Sequence, residues 1–186
     1  MLSTVFHPTS SFETAFFESN KQKAFLKVAL AGLFLSLAIF FLTTSIVYSV
    51  FAFGINIINW LVFSGVLFFF EFAHSKKKSK KTSDSFWRSA CVVGELWGIN
   101  LIAYLILFIG VWLIPIFRGL LSNVLIGLLF VLLILLVIVW IIASFKMLKV
   151  VFGAQRGKLL LNWIILMFLN SLIVSFISRL LASLIF

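Results

Sequence analysis

The sequence predicts an all-α fold: a polytopic membrane bundle of five transmembrane helices with a cytosolic N-terminus, preceded by a short amphipathic interfacial helix. Three observations carry that expectation. Hydrophobic residues make up 63% of the chain and charged ones 11%, with 24 Phe and 6 Trp. Ordinary globular chains are about 25% charged, and this much apolar surface cannot be hidden inside a small globule, so lipid must solvate most of it. The apolar residues also gather into five runs, each near the roughly 20 residues that cross a bilayer's hydrocarbon. Finally, the charges separate by side. Runs such as "LIGLLFVLLILLVIVWIIA" are apolar all round, whereas a membrane β-barrel alternates polar and apolar residues with period two.

Residues 1–25 are expected to form a cytosolic tail and 26–186 the membrane domain. In the tail, "SSFE" (Ser10 to Glu13) fits a capping box, in which Ser10 accepts from a backbone N–H three residues on and Glu13 reaches back. Phe12, Ala15, Phe16 and Phe17 then cluster on one side of a short helix, away from Glu13, Glu18 and Asn20, which suits a helix lying on the membrane surface. The tail lacks a basic start followed by an apolar stretch. No cleavable signal peptide is therefore expected, and the first span is expected to act as its own insertion signal. The spans are drawn at about 26–48, 52–73, 90–113, 121–145 and 159–183. The turn between the first two is placed at the uncharged "SVFAFG".

With five crossings, one side of the membrane collects Lys21, Lys23, Lys27, Lys76, Lys77, Lys78, Lys80, Lys81, Arg88, Lys146, Lys149, Arg156 and Lys158, 13 of the 15 basic residues. The other side holds Arg118 and Arg179. Cytosolic loops carry the excess of Lys and Arg, so the asymmetry orients the chain. "HSKKKSKK" at 74–81 resembles a nuclear address or nucleic-acid patch in isolation. Tethered between two spans, with no aromatic platform beside it, it is expected to fix the second loop in the cytosol. There each lysine adds about 1 kcal/mol of attraction to an anionic leaflet. No nucleic acid is expected as a partner.

Candidate chemistry is sparse. Glu71 and His74 have the Glu-x-x-His spacing of di-iron bundles, but such sites need two copies and two more carboxylates. Pairing with the neighbouring lysines or with headgroups is the plainer role. Cys91, the single cysteine, excludes an internal disulfide and reads as a buried thiol. "GAQRGK" (Gly153 to Lys158) lacks the ending of a phosphate loop; it reads as a helix stop at Gly153 followed by a basic turn. Glu95 lies about a turn inside the third span and is a candidate intramembrane functional residue, since ionisable groups in lipid are costly. It either serves transport, meets Arg88 or the lysines at the interface, or is protonated and bonded to a neighbouring helix. Ala90, Gly94 and Gly98, four apart, are expected to let another helix approach closely, with Gly32 and Ser36 of the first span as a partner surface. Ser171, Ser175 and Ser178, near Asn162 and Asn170, are expected to mark the interior face of the fifth span. No catalytic set, metal site or cofactor site can be assembled from these residues.

Three stretches, "FHPTSSFETAFFESNKQKAFLKVAL", "SDSFWRSACVVGELWGINLIAYLI" and "IVWIIASFKMLKVVFGAQRGKLLLNWII", together with the five-span layout, resemble the Yip1 domain family. The tail is shorter than in eukaryotic members and the Tyr-Gly-Pro type signature is missing, so the chain is more similar to the short prokaryotic members. The resemblance implies a non-enzymatic role in membrane organisation or trafficking. It implies a place in a prokaryotic cytoplasmic membrane, or in the ER or Golgi of a eukaryote, and assigns no binding residue. The expected partners are anionic lipids of the cytosolic leaflet, with a membrane protein or a second copy left open. The alternative is a small transporter, channel or accessory subunit that uses Glu95.

Overall fold

A computed structural model of the protein describes residues 5–18, 20–74, 82–117, 120–152 and 156–185. Among them the fold is all helical: α1 (Pro8–Glu18), α2 (Lys21–Thr43), α3 (Ile46–His74), α4 (Thr82–Leu113), α5 (Leu120–Phe152) and α6 (Arg156–Ile185). Helices α2 to α6 are each long and apolar enough to cross a membrane.

The start of α1 differs from the expected capping box. Pro8 occupies the first helical position, where its fixed φ and missing N–H cost nothing. The His7 carbonyl accepts from the Ser11 N–H at 3.2 Å and from the Ser10 hydroxyl at 3.0 Å. Ser10 therefore lies within the first turn and does not cap it. The side-chain cap belongs to the next helix. Asn20 adopts extended backbone (φ −74°, ψ 94°), and its Oδ1 accepts from the Lys23 N–H at 3.0 Å, satisfying one of the N–H donors a helix start leaves orphaned.

The first interhelical turn also moves. It lies at Thr44–Ser45, several residues before the expected "SVFAFG". Thr44 takes a left-handed conformation (φ 54°), and its N–H closes on the Phe40 carbonyl at 2.7 Å. This is the helix stop that glycine usually supplies. Hydroxyls replace the flexibility of glycine: Thr43 Oγ1 donates to the Ile39 carbonyl and accepts from the Ser45 N–H. Gly54, the last residue of that uncharged stretch, sits inside α3 with nothing near where its Cβ would be.

Helix α5 has 33 residues, well beyond the roughly 20 that hydrocarbon requires. Lys146 and Lys149 therefore project on its last helical turns, where a loop had been expected, and both are exposed. Cations in that position also favour the negative end of the helix dipole.

The packed centre is α2, α3 and α4, with α2 against α4 the most intimate pair. A Cβ on Gly94 would stand 2.6 Å from the Ala24 Cβ and 3.0 Å from the Ala24 Cα, so α2 crosses α4 where only glycine permits it. Ala90 and Gly98 on the same face are buried. The partner surface on α2 is Ala24; Gly32 meets Phe53 and Asn56 of α3 instead, and the Ser36 hydroxyl donates to the Ser49 carbonyl of α3 at 2.8 Å. Helix α1 lies across α4 and α5, with Phe12 fully buried in the main core beside α4 and α5 residues such as Val92, Met147 and Leu148.

Helices α5 and α6 flank this centre. On α6 the interior face is not the serine stripe. Ser171 and Ser175 are exposed, and the half-buried Ser178 returns its hydroxyl to the Val174 carbonyl of its own helix. The inward positions are Leu159, Asn162, Leu166 and Asn170, spaced three or four residues apart as one helix face requires. A serine can satisfy itself on its own backbone; an asparagine amide cannot do so as readily and seeks another helix.

Candidate functional site

The site begins with α2. Lys21 and Lys23 are exposed, but Ala24, Lys27, Val28 and Ala31 follow the helical repeat on the buried face. Lys27 is thus carried inward, 4% exposed. Across the Gly94–Ala24 contact, α4 presents Glu95, 7% exposed, and Lys27 Nζ stands 2.5 Å from Glu95 Oε1. The ion pair links the two most closely packed helices, beside the tight Gly94–Ala24 approach.

Above the pair is a chamber of about 290 Å³, bounded by Ser10 and Thr14 of α1, Asn20 and Lys23 at the head of α2, and Cys91 and Glu95 of α4. Its hydroxyls and amide make a polar approach to an otherwise dry centre. Helix α1 forms one wall, seated by the Phe12 side chain and by the Arg88 guanidinium 4.9 Å from the Phe16 ring centroid. Lys21 lies over the Trp87 ring at 5.2 Å, a second cation–π contact tying the start of α2 to α4.

Deeper in the bundle several polar groups are matched between helices. Asn56 of α3 donates through Nδ2 to the Val28 carbonyl of α2 at 3.0 Å and accepts the Trp97 indole N–H of α4 at 3.1 Å. One amide thereby joins three helices. The Trp60 indole donates to the Ala90 carbonyl at 3.0 Å. At the end of the bundle that holds α1, Glu71 accepts from the Ser89 hydroxyl at 3.1 Å and lies 4.0 Å from Arg88. Glu71 is therefore engaged with α4, on which Ser89 and Arg88 stand. The side chain of His74, its expected companion, lies outside the described residues.

Of the expected topogenic cations, Lys76, Lys77, Lys78, Lys80 and Lys81 fall outside the described residues, as do the Arg156 and Lys158 side chains and the Gly153 helix stop. Lys146 and Lys149 are exposed on α5. They flank Met147 and Leu148, which share the core cluster with Phe12 of α1, while Lys21 and Lys23 are exposed at the head of α2. Lys27, grouped by sequence with the surface cations, is the exception, and its place at the centre was missed, as was the Asn56 amide. The signal for Lys27 was present: it shares the helix face of Ala24, Val28 and Ala31, away from Lys21 and Lys23.

What can this arrangement do? A buried pair of this kind is worth little net stability compared with apolar packing, because desolvation opposes the Coulomb attraction. It is effective at fixing helix register, since losing either partner strands the other. The fold and site together define a multi-pass helical integral membrane protein. Comparison with protein-family models, curated proteins and solved structures returns no match.

Proposed function

We propose that the chain is a non-catalytic, Yip1-like membrane-organising protein. Its N-terminus and the α1 end of the bundle face the cytosol and hold anionic lipid headgroups. In a prokaryotic cell this is the cytoplasmic membrane; in a eukaryote, the ER or Golgi. The observation that carries the reading is the set of exposed cations on the helices next to α1: Lys21 and Lys23 at the head of α2, and Lys146 and Lys149 near the end of α5. The exposed Phe6 and Phe17 rings support α1 at interfacial depth, where aromatic side chains suit the boundary between headgroups and chains. The ion pair and the Asn56 amide give the bundle a fixed geometry from which that surface is presented.

The test uses the full-length protein reconstituted in equal parts phosphatidylcholine and phosphatidylglycerol. After extraction, the lipid retained on the protein is identified by mass spectrometry. Enrichment of phosphatidylglycerol that falls with added salt, and falls again when the four lysines are replaced by Gln, is the expected result. Retained lipid matching the bulk composition would refute the proposal.

The chamber reaching Glu95 favours one second reading, a small transporter or accessory subunit. Its test compares solute flux in proteoliposomes of the wild type, Glu95→Gln, and the Lys27→Gln/Glu95→Gln double variant. Flux that is absent from all three, or equal in all three, removes it.

A further inference from the structure

A second cavity, of about 380 Å³, opens laterally between α4 and α5 and is lined by Asn100, Tyr104, Leu107, Leu136, Val137 and Trp140 among others. Its volume falls at the lower end of the roughly 300–1,000 Å³ typical of small-ligand sites. Asn100 stands halfway along the Phe86–Leu113 span, roughly 20 Å from either end at 1.5 Å per residue. Tyr104, four residues on, lies on the same helix face. Neither the Asn100 amide nor the Tyr104 hydroxyl has a hydrogen-bond partner among the described residues, and the buried Trp140 Nε1 likewise has no acceptor. Elsewhere in the bundle Asn56, Trp60, Trp97 and Trp163 are bonded, and the other buried unpartnered atom among the described residues, Asn170 Oδ1, belongs to an amide that already donates to Asn59. The groove differs in bringing three open polar groups together at mid-membrane depth.

We infer that this groove binds a neutral, lipid-soluble molecule carrying a carbonyl oxygen within a hydrocarbon frame, of the long-chain ketone or quinone type. Depth and hydrogen-bond chemistry select the class. Indole N–H donates only, so the ligand must offer an acceptor, and Asn100 and Tyr104 can both donate to the same oxygen. The aliphatic walls suit a chain or flat ring. A charged ligand would face the full cost of desolvation at mid-depth with no countercharge in the groove. Glycerolipid ester carbonyls sit at the interface, well above Asn100, and do not reach it.

The experiment places the full-length protein in nanodiscs with either of two photoreactive long-chain probes. Both carry a diazirine; one has a mid-chain ketone and the other is its all-methylene counterpart. Adducts are mapped by mass spectrometry. The ketone probe is expected to label the Leu133–Val137 and Leu107 region roughly fivefold more than the methylene probe, the scale of one to two net hydrogen bonds. Tyr104→Phe, which keeps the ring, should reduce that preference, and Asn100→Leu should abolish it; helical circular dichroism confirms that each variant is folded. Equal labelling by both probes makes the groove an ordinary lipid contact and overturns the inference. Labelling by neither means that another helix covers the groove, and overturns it equally.

Discussion

Helices α4 and α5 are almost the same length, 32 and 33 residues, and both span the bundle, yet they solve opposite problems. A third of the most apolar stretch of α4 is buried, and none of that of α5. The buried helix is the one that carries Ser89, Gly94, Glu95 and Gly98. The exposed helix is the one built mostly of Leu, Ile and Val. In water the assignment would be reversed. In lipid, apolar side chains gain nothing by leaving the solvent, so helices associate through small residues that allow close contact and through polar groups that need partners. The most hydrophobic span is consequently the least buried.

The sharpest way to break this contrast is to remove one charge from the centre. Lys27→Met leaves the Glu95 carboxylate buried without its cation and should cost about 3–5 kcal/mol, read as a lower SDS midpoint in detergent-solubilised protein. The same change at Lys146, exposed on α5, should leave the midpoint within about 0.5 kcal/mol of wild type. The double variant Lys27→Met/Glu95→Leu should recover most of the loss, since a packed apolar pair often equals a buried ion pair. If Lys27→Met alone were neutral, the pair would be no anchor of the centre.

Next in size is a comparison of two glycines. Gly94→Ala brings a methyl to 2.6 Å from the Ala24 Cβ, so α2 and α4 must separate at a cost of about 1–3 kcal/mol. Gly127→Ala on α5 meets nothing within 4 Å and gains up to about 1 kcal/mol of helix propensity. Opposite signs in the two thermal midpoints are expected; equal shifts would mean that small residues do not set the approach of α2 to α4.

The fold was largely legible because its governing signal, five long apolar runs, depends only on the bilayer's thickness. The Ala90–Gly94–Gly98 face was legible too, because a gap between close helices needs small side chains whatever the partner. The partner itself was not: Ala24 rather than Gly32 depends on the relative shift of α2 and α4, which no local pattern encodes. Lys27 was hidden by its neighbours, since a cluster of three lysines reads as surface until the helix face of each is separated. The turn at Thr44 was missed because an uncharged stretch also continues a helix in lipid, and a threonine taking the left-handed region leaves no local mark in the sequence. The serine stripe misled because serine's ability to bond its own backbone frees it from needing an interior.

A third contrast concerns the central amide. Asn56→Leu removes both a bond to α2 and the acceptor for Trp97, and should cost about 1–2 kcal/mol, at or slightly above the upper range of single interhelical bonds in membranes. Trp97→Phe, which removes one of the two bonds but keeps an aromatic ring against Phe63 at 6.1 Å, should cost less. The expected order is Asn56→Leu below Trp97→Phe below wild type in unfolding midpoint. The reverse order would assign the effect to ring volume and not to the amide.

The smallest effects separate the two faces of α6. Asn170 donates through Nδ2 to Asn59 Oδ1 of α3 at 3.0 Å, the polar bond holding this peripheral helix to the centre, so Asn170→Leu should lower the midpoint by about 0.6 kcal/mol, the average for such bonds. Ser171→Leu and Ser175→Leu place an apolar side chain on a face already exposed beside Phe168, Leu172 and Phe176, and should be neutral to slightly stabilising. The two residues 170 and 171 are adjacent in sequence and differ by about 100° around the helix axis. Opposite outcomes at neighbouring positions would locate the interior of α6 by orientation alone. A loss at Ser175 comparable to that at Asn170 would instead show that the serine face is covered, by a second copy or another protein, in the assembled membrane.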